Sequence, residues 1–271
     1  MSSVLDQIVA STRRGVDSAK RSENLRELER LAEAHNPRGF RRKLMETSKA
    51  GVAVIAELKK ASPSRGLIRA DFDAADLARG FEAAGAAALS VLTDAEYFQG
   101  SLENLRVASQ STSLPCLRKD FIVDEFQLIE ARANCGDAVL LIVAALSDDE
   151  LRKLGAGSRE LQLDVLCEVH DAEELKRAAD AGFDLIGVNN RSLKTLQVDI
   201  ETSLRLSQLM PHDAVRVAES GIGSGGDIAR LRSAGYHAFL IGESLMVAAD
   251  PGEALRRLLT QARAAESKVG I

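Results

Sequence analysis

The chain has 271 residues, 45% hydrophobic, 28% charged and only 4% aromatic, with a formal net charge of −5. That length suits one large domain, which buries enough apolar surface to fold without staples. The negative balance argues against nucleic acid as the main partner, and no apolar run approaches the roughly 18 residues of a membrane span.

In chain order, the N-terminus MSSVLDQIVASTRRG comes first and lacks the apolar core of a signal peptide. Residues 4–34 are helical in pattern and charged. Residues 1–48 read as a helical extension that covers one end of the body behind it or reaches over its mouth. Eight short apolar runs follow: VAVIA (52–56), AAALSVL (86–92), LPCL (114–117), AVLLIV (138–143), DVLCEV (164–169), LIGVN (185–189), VRVAE (215–219) and AFLIG (238–242). Most lack polar alternation, as parallel strands covered on both faces do.

Helical patterns lie between the runs. AADLARGFEAAG (74–85) carries an apolar stripe at Leu77, Ala78 and Phe81. DEFQLIEARANCG (124–136), SDDELRKLG (147–155), DAEELKRAADAG (171–182) and GGDIARLRSAG (225–235) open with acid or a cap and close with glycine. DPGEALRRLLTQARAA (250–265) supplies the last helix. Eight β–α units predict an α/β fold, a (β/α)8 TIM barrel over 49–271, as one domain with its N-terminal helical extension. The competing architecture, a doubly wound open sheet, would carry fewer strands and a nucleotide fingerprint in its first unit. None is there.

In such a barrel the chemistry sits where strands end, and alternate side chains point inward. On strand one, Ile55, Glu57 and Lys59 share the inward parity, while Val54, Ala56 and Leu58 face the helices. Lys119 ends strand three and Glu168 ends strand five. Asn189 and Arg191 leave strand six with matching parity, and Glu219 and Ser220 end strand seven. One lysine at a rim is ordinary solvated surface. Charged groups converging from this many strands read as a site for an anionic small molecule.

SGIGSGGDI (220–228) contains a literal G-x-G-x-x-G at Gly221, Gly223 and Gly226. As a dinucleotide signal it is weak, because it falls in the seventh unit. The loops after strands seven and eight commonly hold phosphate in barrels. Here they offer Ser220-Gly221 and Gly242-Glu243-Ser244. A carboxylate beside a phosphate is misplaced, so Glu243 is expected to turn outward with its N–H pointing in.

AELKKASPSRG, VLTDAEYFQGS, LRKDFIVDEFQLIEAR, EVHD, IGVNNRSLKT, AESGI and LIGESLM, in that order, resemble the indole-3-glycerol-phosphate synthase family over essentially the whole chain. The resemblance implies a carboxy-lyase of tryptophan biosynthesis. It closes the ring of 1-(2-carboxyphenylamino)-1-deoxyribulose 5-phosphate, with loss of CO2 and water, to give indole-3-glycerol phosphate. By resemblance Lys119 looks like the general acid at the substrate carbonyl. Glu168 looks like an acid–base partner in later proton transfers, and Glu57 with Lys59 like the pair that positions substrate and shares in dehydration. Ser62 belongs to the same binding region. Asn189 and Arg191 look like contacts to hydroxyls and anionic groups, and Glu219 like a further contacting or catalytic carboxylate. Ser220, Gly221, Gly242 and Glu243 look like the phosphate cradle. Phe98 and Phe121 look like apolar walls around the anthranilate ring.

The expected partner is thus a phosphorylated small molecule, with no nucleic acid, no membrane, no metal and no cofactor. The three cysteines and four histidines are scattered, none at metal-ligand spacing, and reduced thiols indicate a cytoplasmic protein. Monomer and weak homodimer both remain open. Two other readings compete: another phosphate-binding barrel enzyme such as a sugar-phosphate isomerase, and a non-catalytic barrel subunit. The first would need its thiol at the mouth, whereas Cys167 has the wrong parity. The second predicts lost rim charges, and they are present.

Overall fold

In the computed structural model, which describes residues 4–193 and 195–269, each of the eight apolar runs forms a strand. They are β1 (Ala53–Leu58), β2 (Ala88–Leu92), β3 (Cys116–Lys119), β4 (Ala138–Ile142), β5 (Asp164–Val169), β6 (Leu185–Asn189), β7 (Val215–Glu219) and β8 (Ala238–Ile241). Neighbours in the chain pair in parallel, and β1 closes the ring against β8 through Ala53↔Ala238 and Ile55↔Leu240. The sheet is therefore a closed (β/α)8 barrel, not an open one. The absence of polar alternation has its reason here. Val54, Ala56 and Leu58 pack outward under the helices, while Ala53 and Ile55 pack inward with Leu117, Leu140, Leu166, Val217 and Leu240.

The helical extension does both things open to it, one at each end of the barrel. Helix α1 (Val4–Ser22) reaches the C-terminal mouth. Arg13 pairs at 2.8 Å with Glu150, in the first turn of the helix that follows the fourth strand, and Lys20 at 2.6 Å with Asp124, on the loop that follows the third. Helix α2 (Leu25–Ala34), capped by the Asn24 side chain, packs along α7 (Phe126–Ala133). Helix α3 (Phe40–Ala50) plugs the opposite end with Phe40 and Leu44, both fully buried against the first residues of the strands. A polar cluster seals that end. Asp137 accepts from the Arg38 backbone N–H (2.7 Å) and guanidinium (2.5 Å), from the Cys116 N–H (2.6 Å), and lies 3.2 Å from His35 Nε2.

The remaining helices in chain order are α4 (Ala74–Ala84), α5 (Ala95–Phe98), α6 (Leu102–Gln110), α8 (Asp148–Glu160), α9 (Ala172–Asp180), α10 (Glu201–Ser207), α11 (Gly225–Ser233), α12 (Glu243–Met246) and α13 (Pro251–Val269). One boundary departs from expectation. Helix α8 runs through Gly155, which was expected to close it, and ends at Glu160. A Cβ at 155 would lie 3.0 Å from the ring of Phe183, in the turn before β6, so this glycine serves close packing of the helix and not a stop. Helices α5, α6 and α10, and the short hairpin of Ala61–Ser62 with Gly66–Leu67, carry no strong periodic signal and emerge from the structure. Among the described residues no helix is long and apolar enough to cross a membrane.

Candidate active site

The parity of the strands decides what faces the mouth. Glu57 ends the inward row of β1, Lys119 that of β3, Glu168 that of β5, Asn189 that of β6 and Glu219 that of β7. All five line one cavity of about 430 Å³ at the C-terminal end of the barrel. Lys59, Ser62, Phe98, Phe121, Arg191, Ser220, Gly221, Gly242 and Glu243 line it too. Every residue that the sequence singles out for the site therefore borders the same space. Cys167, between Glu168 and Leu166, is buried on the outer side of the barrel among helix-facing residues, so no isomerase thiol reaches the mouth from this strand.

Two ammonium–carboxylate pairs stand at the base of the cavity. Lys119 Nζ lies 3.3 Å from Glu168 Oε2 and 4.0 Å from Glu219 Oε2. Lys59 Nζ lies 2.6 Å from Glu57 Oε1. The second pair depends on Gly242: a Cβ there would sit 2.3 Å from Glu57 Oε1, so the end of β8 leaves room for the carboxylate on β1 by carrying no side chain. Glu57, Glu168 and Glu219 are all at most 5% exposed.

Burial and charge pull these groups in different directions. Burial opposes a charged Lys119, but Glu168, Glu219 and Glu57 together outweigh it and raise its pKa, so the ammonium persists. Burial pushes Glu168 up, yet Lys119 and then His170 overcome it and hold the carboxyl well below the usual range. For Glu219 burial and the neighbouring Glu168 act together, and its pKa is raised to about 8. Its Oε1 is buried without a hydrogen-bond partner. At neutral pH the site thus holds an ammonium, an ionised carboxylate and a mostly protonated carboxyl within one contact distance. That set can give a proton at one point and take one at another.

Above the charges the cavity turns apolar. The Phe98 and Phe121 rings stand 6.4 Å apart at 36°, and Leu140, Ile142 and Leu240 line the same cavity. Such a wall suits an aromatic ring. On the opposite side Ser220 (φ 64°) and Gly221 (φ 77°) turn the chain sharply after β7, and Gly242 precedes the first turn of α12. Arg191 and Lys59 add positive charge to that side, which gives it the character of an anion subsite. Glu243 does not turn fully outward as expected. Its carboxylate stays on the rim between two guanidiniums, 2.7 Å from Arg65 and 3.6 Å from Arg191. Among the described residues no three His, Cys, Asp or Glu side chains are grouped as metal ligands.

Two sets of residues escape a reading from sequence. His170 touches Glu168 at 3.4 Å; the one available signal is its parity, two places beyond Glu168. Val4, Leu5 and Ile8 of α1 also line the cavity. Their apolar stripe is visible in the sequence, but nothing local says which end of the barrel the helix covers.

A family model described as indole-3-glycerol phosphate synthase matches residues 5–258. A protein of that name from Koribacter versatilis (strain Ellin345) is 62% identical over 259 residues, covering 96% of this chain and 100% of its own length. One from Acinetobacter baumannii (strain SDF) is 46% identical over 260 residues, covering 95% of this chain and 96% of its own. Solved structures at low identity share the fold. A mandelate oxidase superposes with a TM-score of 0.64 at 16% identity, covering 100% of this chain and 95% of that one. A thiamine phosphate pyrophosphorylase from Pyrococcus furiosus gives 0.58 at 16%, covering 80% and 96%.

Proposed function

The chain belongs to the indole-3-glycerol phosphate synthase family, and on that premise we propose how its residues divide the reaction. The activity is that of a carboxy-lyase: 1-(2-carboxyphenylamino)-1-deoxyribulose 5-phosphate closes its ring, loses CO2 and water, and leaves as indole-3-glycerol phosphate for tryptophan biosynthesis. In our assignment the phosphate occupies the side formed by Ser220, Gly221, Gly242, the Glu243 N–H and Arg191, and the anthranilate ring lies against Phe98 and Phe121. Ser62 and Asn189 hold the sugar chain between them.

As the ring carbon attacks the carbonyl carbon, a C–C bond forms and the carbonyl electrons move to oxygen. Lys119 protonates that oxygen, and its charge stabilises the oxyanion before transfer. The ring then expels CO2 and regains aromaticity, which is favoured where the departing carboxylate stands in apolar surroundings. In the last stage a hydroxyl leaves as water and a proton is lost from the neighbouring carbon. Glu168, ionised beside Lys119, serves as the base, and Glu219, largely protonated, serves as a proton donor or hydroxyl contact. The Glu57–Lys59 pair positions substrate and assists the dehydration. The observation that carries this assignment is the Lys119 ammonium 3.3 Å from one carboxylate and 4.0 Å from a second whose pKa is raised. We further assign the protein to the cytoplasm, as a monomer or weak homodimer; Cys116, Cys135 and Cys167 are all unpaired, which supports a reducing setting.

The test is indole fluorescence on mixing enzyme and substrate. Wild type should produce indole-3-glycerol phosphate, and Lys119→Ala should lose about a thousandfold in kcat, in line with loss of an acid and its electrostatic role. A Lys119→Ala rate near wild type would move the acid role to Lys59.

A further inference from the structure

Behind Glu168, outside the residues that line the cavity, stands His170. Its Nε2 lies 3.4 Å from Glu168 Oε1, the oxygen opposite the one that faces Lys119. Its Nδ1 lies 3.0 Å from Glu174 Oε2, and its backbone N–H donates to that same oxygen at 2.8 Å. Glu174 is fixed in turn in the first turn of α9, where its own N–H donates to the Asp171 cap. The imidazole is 11% exposed, so two carboxylates hold it, one at each nitrogen. Nδ1 hydrogen-bonds Glu174, whereas Nε2 makes an ion-pair contact with Glu168 and no hydrogen bond; a neutral imidazole with its one N–H on Nδ1 would offer Glu168 nothing, and the cation offers it a charge.

We propose that His170 is a positioning residue, a buried imidazolium that keeps Glu168 ionised and turned toward Lys119, so that Glu219 and not Glu168 holds the proton. The inference rests on the reading of Glu168 as the base. Burial opposes the charge on His170, but Glu168 and Glu174 outweigh it and raise its pKa to about 10. Among the described residues, Lys119 from β3, Glu219 from β7, Asn189 from β6 and His170 beyond β5 face Glu168. Lys119 lies within 4.0 Å of both carboxylates and favours Glu168, 3.3 Å away. His170 touches Glu168 at its other oxygen and adds to the asymmetry that Lys119 begins.

The experiment is kcat/KM against pH for wild type, His170→Asn and Glu174→Gln, with thermal melts to show that each is folded. Ionisations of the substrate are common to all three and cancel in the comparison. Loss of the cation raises the pKa of Glu168, so the acid limb of His170→Asn should move up by about 1 pH unit. Glu174→Gln, which leaves the imidazole in place and withdraws its second partner, should move it the same way by less. A uniform loss of rate at every pH, or a limb that stays where it is in both variants, would overturn the proposal and leave His170 as packing. If His170→Asn does not fold, the limb of Glu174→Gln decides. Glu168→Gln is run beside them: wild-type rates there would remove the assignment of the base itself, a failure distinct from an unmoved limb.

Discussion

At the N-terminal end of the barrel Asp137 is fully buried, and its carboxylate receives Arg38, the Cys116 N–H and His35. At the C-terminal end Glu219 is 1% exposed, and one of its oxygens has no partner. Both ends bury a carboxylate, yet Asp137 has both oxygens hydrogen-bonded while Glu219 keeps one open beside a cavity. Buried polar atoms are nearly always paired, because an orphan costs its full desolvation. Where a fold tolerates an orphan, the missing partner is a good candidate for a substrate. The electrostatics follow the same division. Burial opposes ionisation of Asp137, but His35 and Arg38 overcome it and lower the pKa, whereas Glu219 is pushed up to about 8.

This contrast can be broken at either end. Asp137→Ala strands the Arg38 guanidinium, and unfolding in urea should show a loss of about 3–5 kcal/mol. The kcat of the protein still folded should be unchanged; a large fall in kcat would mean that the two ends are not separable. At the open end, Gly242→Ala forces the chain away from Glu57, and kcat should drop about a hundredfold from the displaced pair, with a smaller loss in melting temperature than in Asp137→Ala. The smallest effect is expected from Glu219→Gln on stability. A carboxyl whose folded pKa is raised contributes stability below its ordinary value near 4.5, and that contribution is lost as pH rises through about 8. The melting temperature of Glu219→Gln should therefore gain on wild type between pH 5 and 8 and then stay level, even as activity falls. A gap that stays constant with pH would show that Glu219 titrates normally.

Much of this was legible from the sequence because a strand has a period of two. Once VAVIA is a barrel strand, Glu57 and Lys59 must face inward, and the same parity places Lys119, Glu168, Asn189 and Glu219. What parity cannot supply is distance across the barrel, so it does not show that Lys119 lies nearer Glu168 than Glu219. Gly155 looked like a stop because its pressure comes from Phe183 on a distant segment. His170 looked isolated because its partners, Glu168 and Glu174, acquire meaning once the turn into α9 brings them to its two nitrogens. Glu243 was expected to turn outward because the sequence does not show that Arg65 and Arg191 converge on it.

The closure of β1 on β8 has a consequence for how the protein is made. Glu57 leaves the ribosome early, while the glycine that makes room for it and the strand that covers its flank are among the last segments to emerge. Until then the nascent sheet has two bare edges, at β1 and β7, each able to recruit a foreign strand. Nor can the phosphate side exist in a growing chain, because Gly242 and Glu243 lie beyond that last strand. Competence therefore arrives in one late step, and chains cut short before Ala238 should be recognised by the cell as sticky and inert, with no partial activity to preserve them.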